Sequence, residues 1–125
     1  MPGDDPTARV LLADDHELVR RLLRRAIAAH PGLELVGEAA DGSEAVELAR
    51  ELAPDVVVLD LAMPYKDGLQ VAGELRSHLP ACAIIVFSDQ DAEQAALAAG
   101  ADRYIGKAAG FAAAAQAAAE LAVKR

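Results

Sequence analysis

Aromatic side chains are nearly absent: two tyrosines, two phenylalanines and no tryptophan make up 3% of the 125 residues. Any core must therefore be filled by alanine and the branched aliphatics, which dominate an apolar content of 54%. The single cysteine, Cys82, excludes an internal disulfide, and no CxxC or Cys/His spacing suits zinc. A reducing cytoplasm is the expected compartment. Basic residues are scarce, twelve against twenty acidic, and the formal charge of −8 repels nucleic-acid phosphates. Direct binding to DNA or RNA is not expected. Long apolar runs are missing as well: residues 111–123 are interrupted by Gln116 and Glu120 and are too few to span a bilayer. The opening MPGDDPTA is acidic where a secretory signal is basic and then apolar, so neither export nor a membrane contact is expected.

What is present suits one domain. A chain of this length buries roughly two-thirds of its unfolded surface, so a metal would serve function rather than hold the fold together. Residues 1–7 are expected to be a flexible N-terminus, and 8–125 the folded unit. Short apolar runs over 8–13, 33–39, 55–60, 82–88 and 102–106 alternate with segments of helical period. In the first helical segment Leu18, Val19, Leu22, Leu23, Ala26 and Ile27 form an apolar stripe, with Arg20, Arg21, Arg24 and Arg25 facing away. Turn chemistry marks the joints at His30-Pro31-Gly32, Asp41-Gly42-Ser43, Pro54 and Leu79-Pro80. Five β-α repeats predict an α/β fold with one doubly wound parallel sheet, whose ligands bind beyond the carboxyl ends of the strands.

Those ends carry the polar residues. Strand one closes in Asp14-Asp15, strand three in Asp60, strand four in Ser88 and strand five in Lys107. An acidic pair after a strand is by itself a common loop or helix cap, and a lone serine a common turn residue. Brought to one edge, three carboxylates repel one another by roughly 4 kcal/mol per pair at a surface-like dielectric, and a cation must offset that. Mg²⁺, bound by one or two carboxylates, waters and a phosphate oxygen, fits the donor type. With Lys107 and the Ser88 hydroxyl alongside, the set suits phosphoryl transfer to a carboxylate nucleophile. A flavin phosphate would be repelled by Asp14-Asp15-His16-Glu17. A P-loop is excluded by the five residues between Gly100 and Gly106 and by Ala108 after Lys107. A haloacid-dehalogenase-type phosphatase needs a second aspartate where Ala62 stands.

The strings LLADDHELVR, VVVLDLAMPYKDG, IIVFSD and ADRYIGK resemble the receiver domains of bacterial two-component response regulators over nearly the whole chain. The resemblance implies a flavodoxin-like (βα)5 fold of strand order 2-1-3-4-5. It implies Asp60 as phosphoacceptor, and Mg²⁺ held by Asp15, Asp60 and the backbone carbonyl of Ala62, with Asp14 acting through water. Ser88, Lys107 and Tyr104 become the phosphoryl-binding and switch residues, and Met63-Pro64 and Gly68 match the loop after strand three. It further implies a cytoplasmic protein and a sensor histidine kinase or phosphotransfer protein as donor. The output would be a downstream protein or a C-terminal effector domain, with homodimer formation on phosphorylation. No activity as an enzyme is implied beyond catalysing its own phosphorylation and dephosphorylation.

DHELVRRLLRRAI followed by LELVGEAADGSEAV is similar to the subfamily that carries LuxR-type helix-turn-helix output domains. This chain is thus expected to be a stand-alone receiver or part of a longer regulator. Two features depart from the pattern. Asp89 follows Ser88 where a small residue is usual, and only nineteen positions separate Ser88 from Lys107, which trims the fourth helix or its flanking loops. Asp89 either points inward against a phosphodonor or caps that helix. These departures support a rival reading, a degenerate receiver that works as a phosphorylation-independent interaction module. His16, His30 and His78 share no ligand spacing and read as surface or turn residues, and Cys82 reads as a small core hydrophobe.

Overall fold

The computed structural model describes residues 7–123. Apart from Thr7, the expected flexible segment 1–7 lies outside the described residues, as do positions 124–125. The elements run β1 (Ala8–Ala13), α1 (Glu17–Ala28), β2 (Leu33–Ala39), α2 (Gly42–Leu52), β3 (Val56–Leu59) and α3 (Gly68–His78). They continue with β4 (Ala83–Ser88), α4 (Glu93–Ala99), β5 (Arg103–Gly106), a 3-10 turn at Lys107–Ala109, and α5 (Phe111–Val123). All strands are parallel in the order β2-β1-β3-β4-β5, so the doubly wound sheet and the expected strand order are both present. Asp60 and Lys107 each stand one residue beyond a strand rather than at its end. Among the described residues no helix is long and apolar enough to cross a membrane.

Strand period divides the core into two layers. Leu11, Ala13, Val57, Leu59, Ile84 and Val86 face α2, α3 and α4, whereas Val10, Leu12, Val56, Val58, Ile85 and Phe87 face α1 and α5. Strands apolar on both faces are what a parallel sheet covered on both sides requires. Each such large side chain contributes roughly 1.5–3 kcal/mol over exposure. On the α5 side the shortage of aromatics is met by close approach: Ala114, Ala115, Ala117 and Ala118 are all buried, and Phe111 meets Phe87 edge to face at 5.7 Å. In α1, Leu23 and Ile27 are buried, but Leu18 is 60% exposed because it sits in the first turn, at the rim of the sheet. Cys82 is buried just before β4, as a small hydrophobe should be.

Local chemistry sets the joints that matter for the strand ends. Asp67 and Gln70 form a capping box at the start of α3, and Asp41 accepts from the Glu44 amide at the start of α2. The loop between β3 and α3 folds back tightly: the Gly68 amide donates to the Leu61 carbonyl at 2.8 Å, and the Gly42 amide of α2 donates to the Pro64 carbonyl at 3.2 Å. A Cβ at Gly68 would lie 2.2 Å from the Asp60 carbonyl oxygen, and one at Gly42 would lie 1.9 Å from that of Lys66. Both glycines are therefore needed for backbone approach, and they clamp the loop that follows Asp60.

Gly68→Ala is accordingly expected to lower stability by about 1–3 kcal/mol, the usual cost of overpacking. Gly32→Ala, with nothing within 4 Å of its added Cβ, should be neutral or mildly stabilising. Urea unfolding of the two variants checks the contrast, and equal midpoints would contradict it.

Candidate functional site

The strand order reverses between β1 and β3, since the chain passes outward to β2 and then back across β1. The crevice of a doubly wound sheet opens at such a point. Backbone pairing carries one residue past both strands: the Asp14 amide donates to Ala39 at 3.0 Å and the Asp60 amide to Ala13 at 2.9 Å. Two carboxylates are thus delivered side by side, and both are nearly fully buried, at 2% exposure for Asp14 and 3% for Asp60. Lys107 enters from the end of β5, its Nζ lying 3.0 Å from Asp14 Oδ2 and 3.6 Å from Asp60 Oδ2. The other Asp60 oxygen, Oδ1, accepts from the Leu61 amide at 2.9 Å. Asp15 is on the exposed side of the cluster, and Ala62 is an exposed residue of the loop two positions past Asp60.

Charge at this edge is unbalanced. Burial, reinforced by the neighbouring Asp14 and, less, by Asp89, pushes the Asp60 carboxyl above its usual range, while Lys107 and the Leu61 amide pull the other way. Burial by itself disfavours the Lys107 ammonium. The hydrogen bond and charge of Asp14, with Asp60 and Asp89, outweigh it and raise the lysine. One ammonium faces three carboxylates. Asp14, Asp15, His16 and Asp60 each place one potential ligand atom within 4.8 Å of all the others. A set dominated by hard oxygen donors with surplus negative charge fits a divalent cation such as Mg²⁺.

The remaining candidates sit on the other flank. Ser88 is fully buried and its Oγ accepts from the Gln90 amide at 3.1 Å. Tyr104 is half-buried against the α3 and α4 side, and its hydroxyl donates to the Gln90 carbonyl. Both side chains therefore hold the backbone of one residue, which sequence reading did not single out because a backbone contact has no side-chain signature. Ser88, Asp89, Tyr104 and Lys107 also line a common cavity of about 240 Å³.

One expectation is corrected and one is extended. The N-cap of α4 is Ala92, with no side-chain cap, so Asp89 does not cap this seven-residue helix; it is exposed and acts electrostatically on Asp60 and Lys107. His16 is at the surface, as expected, but it also contacts the acidic cluster. Its Nδ1 lies 3.2 Å from Asp14 Oδ1 and 3.1 Å from Asp15 Oδ1, inside the acidic cluster. Linear ligand spacing could not reveal this, because the cluster joins three consecutive residues to a fourth from a different strand end. His30 and His78 lie outside it.

Because the folded Asp60 carboxyl binds its proton more tightly than the unfolded one, its ionised form costs stability at neutral pH. That cost disappears as pH falls through the raised value toward the ordinary 3.8. Asp60→Asn should therefore raise the thermal midpoint of the metal-free protein at pH 8, with a gain that shrinks toward pH 4. A lower midpoint at pH 8 would mean that the attraction of Lys107 outweighs burial and Asp14.

Known proteins resemble this chain over most of its length. A model of the response regulator receiver domain matches residues 10–119. The transcriptional regulatory protein LiaR of Bacillus subtilis is 45% identical over 78% of this chain and 47% of its own length. The nitrate/nitrite response regulator protein NarL of Escherichia coli is 39% identical over 84% of this chain and 50% of its own. The chain thus spans about half the length of these curated relatives. Similar stretches also occur in enzymes, including a protein-glutamate methylesterase of Anaeromyxobacter dehalogenans that is 44% identical over 71% of this chain and 26% of its own. The solved signal receiver domain of a response regulator, NarL, from Mycobacterium tuberculosis superposes with a TM-score of 0.90 at 34% identity, covering 97% of this chain and all of that one. A LuxR-family two-component response regulator from Aurantimonas sp. gives 0.87 at 38% identity, covering 95% of this chain and 87% of that one. The fold, the switch-point cluster and a match over most of its length together place this chain in the response regulator receiver domain family.

Proposed function

We propose that this receiver, over residues 8–125, accepts a phosphoryl group on Asp60 from the phosphohistidine of a sensor kinase or phosphotransfer protein. The observation that carries the reading is the buried Asp60 carboxylate set at the switch point 3.6 Å from the Lys107 ammonium and beside Asp14. In the transfer, an Asp60 oxygen forms a bond to phosphorus as the bond from phosphorus to the donor imidazole breaks. Lys107 turns from its carboxylate partners to the phosphoryl oxygens, so charge building there meets an ammonium already in place. Asp15, Asp60 and the Ala62 carbonyl would hold Mg²⁺, with Asp14 reaching it through water, and the ion would neutralise phosphoryl charge when bound.

The output follows from the new charge. A phosphoryl group adds roughly −1.5 to −2 and draws hydrogen-bond donors to itself. When the Ser88 hydroxyl turns to it, the Gln90 amide loses its acceptor, and the Gln90 carbonyl is the group that Tyr104 holds. The shift passes in this way to the surface of α4, β5 and α5, where a downstream protein, a C-terminal effector domain or a second copy would read it. Asp60 is a substrate of its own domain, and the protein acts as a cytoplasmic relay rather than as an enzyme on other molecules.

Asp89 is the observation that favours the rival, an interaction module that is never phosphorylated, because its charge opposes an anionic donor. Mass spectrometry after incubation with acetyl phosphate and Mg²⁺ separates the two. Wild type should gain one phosphoryl group and Asp60→Asn none. An unlabelled wild type would favour the interaction module, and a labelled Asp60→Asn would overturn the acceptor. Asp89→Ala should label several-fold faster, for a repulsion on the order of 1 kcal/mol, with stability unchanged since no cap is lost. Equal labelling rates would show that Asp89 is electrostatically silent.

A further inference from the structure

Arg20 lies one turn into α1, on the side that periodicity assigns to solvent, yet its side chain is only 17% exposed. Its amide donates to the His16 carbonyl at 3.1 Å to close the first helical turn, and the side chain runs back toward the start of the helix. There Nη1 donates to the Asp14 backbone carbonyl at 2.5 Å, while Nε lies 3.3 Å from Glu38 Oε1 of β2. A cation near a helix N-terminus opposes the helix dipole, so α1 alone does not account for this placement. It depends on partners from outside the helix. Glu38 steers the guanidinium from β2, and the Asp14 carbonyl takes its donor just past the end of β1. Because the guanidinium is a rigid fork, one carboxylate and one carbonyl together fix its plane.

That carbonyl matters because of the atoms that share its plane. A peptide unit is planar, so holding the Asp14 oxygen also fixes the Asp15 nitrogen and Cα. The Asp14 carboxylate has anchors of its own, the His16 amide at 2.9 Å and Lys107 Nζ at 3.0 Å. Among the described residues the Asp15 carboxylate has one polar partner, the largely exposed His16 ring at 3.1 Å. The direction of Asp15 is therefore inherited from the backbone that Arg20 holds.

We infer that Arg20 is a positioning residue for phosphoryl transfer, which aims the Asp15 carboxylate into the pocket by holding the Asp14 carbonyl. It touches neither the cation nor the phosphoryl group. The inference rests on the proposed Mg²⁺ role of Asp15. Charge and position give opposite signs here. As a bare charge Arg20 repels a divalent cation, so its removal would tighten Mg²⁺ binding. As a positioning group its removal frees Asp15 and weakens Mg²⁺ binding.

The test is Mg²⁺ binding by isothermal titration calorimetry without a phosphodonor, alongside urea unfolding, in wild type, Arg20→Met, Arg20→Lys and Arg24→Met. Arg20→Met should weaken Mg²⁺ by about ten-fold, the usual scale for losing a group that orients a metal ligand. Arg24→Met removes the closer partner of Glu38 but leaves the carbonyl bond, and should change Mg²⁺ by no more than about two-fold, since an exposed pair contributes little. Arg20→Lys keeps a donor for the carbonyl and should recover most of the affinity. In nitrogen NMR the Asp15 amide, bonded directly to the Asp14 carbonyl carbon, should shift in Arg20→Met and return toward its wild-type position in Arg20→Lys. Unchanged or tighter Mg²⁺ binding in Arg20→Met, an equal loss in Arg24→Met, or no recovery in an Arg20→Lys protein that unfolds like wild type overturns the positioning role and leaves the Mg²⁺ site standing. A wild type that binds no Mg²⁺ overturns the site and the role of Arg20 with it.

Discussion

Two carboxylates buried side by side at the point where the strand order reverses, held there against their own repulsion by one ammonium, are the constraint on which the rest of this structure depends. Asp14 and Asp60 are adjacent because each directly follows one of the paired strands β1 and β3, with the Asp60 amide bonded to Ala13 of β1. Lys107 can reach them only because β5 ends at the same edge and turns at once into a 3-10 helix. Burial that would normally disfavour all three charges is tolerated because each is a partner of another. The balance is incomplete, and the raised Asp60 carboxyl records the remainder.

The opposite flank is held by hydrogen bonds rather than charge. Ser88 and Tyr104 come from different strands, and both bond the backbone of Gln90. A hydroxyl that releases its donor to turn toward a new anion therefore disturbs the residue that the Tyr104 hydroxyl also holds. The short α4 begins without a side-chain cap, so the segment between Ser88 and Glu93 is held by few local hydrogen bonds of its own. Asp89, exposed in that segment, lends its field to Asp60 and Lys107 but no cap to the helix.

Much of the architecture was legible in residue order. The five apolar runs matched the five strands to within a residue; in β1, β3 and β4 this is because strands buried on both faces leave no alternation to misread and stop at or next to a polar group. The stripe of α1 was legible for Leu23 and Ile27, but not for Leu18, since periodicity locates a face and says nothing of where the sheet beneath it stops. The demand that Gly42 and Gly68 admit no Cβ could not be seen, because it arises where α2 and α3 press on one loop.

The same division runs through the site. The sequence by itself determined which polar groups close the strands, and hence that carboxylates, a hydroxyl and a lysine meet at one edge, because parallel strands share a direction. Only the tertiary structure decided how they pair: Lys107 on Asp14 more closely than on Asp60, Ser88 and Tyr104 both on Gln90, and His16 Nδ1 against two carboxylates while most of its ring stays exposed. Such pairings depend on separations of an ångström or less and on which way side chains turn. Those are fixed by packing between distant segments, and no pattern along one chain encodes them.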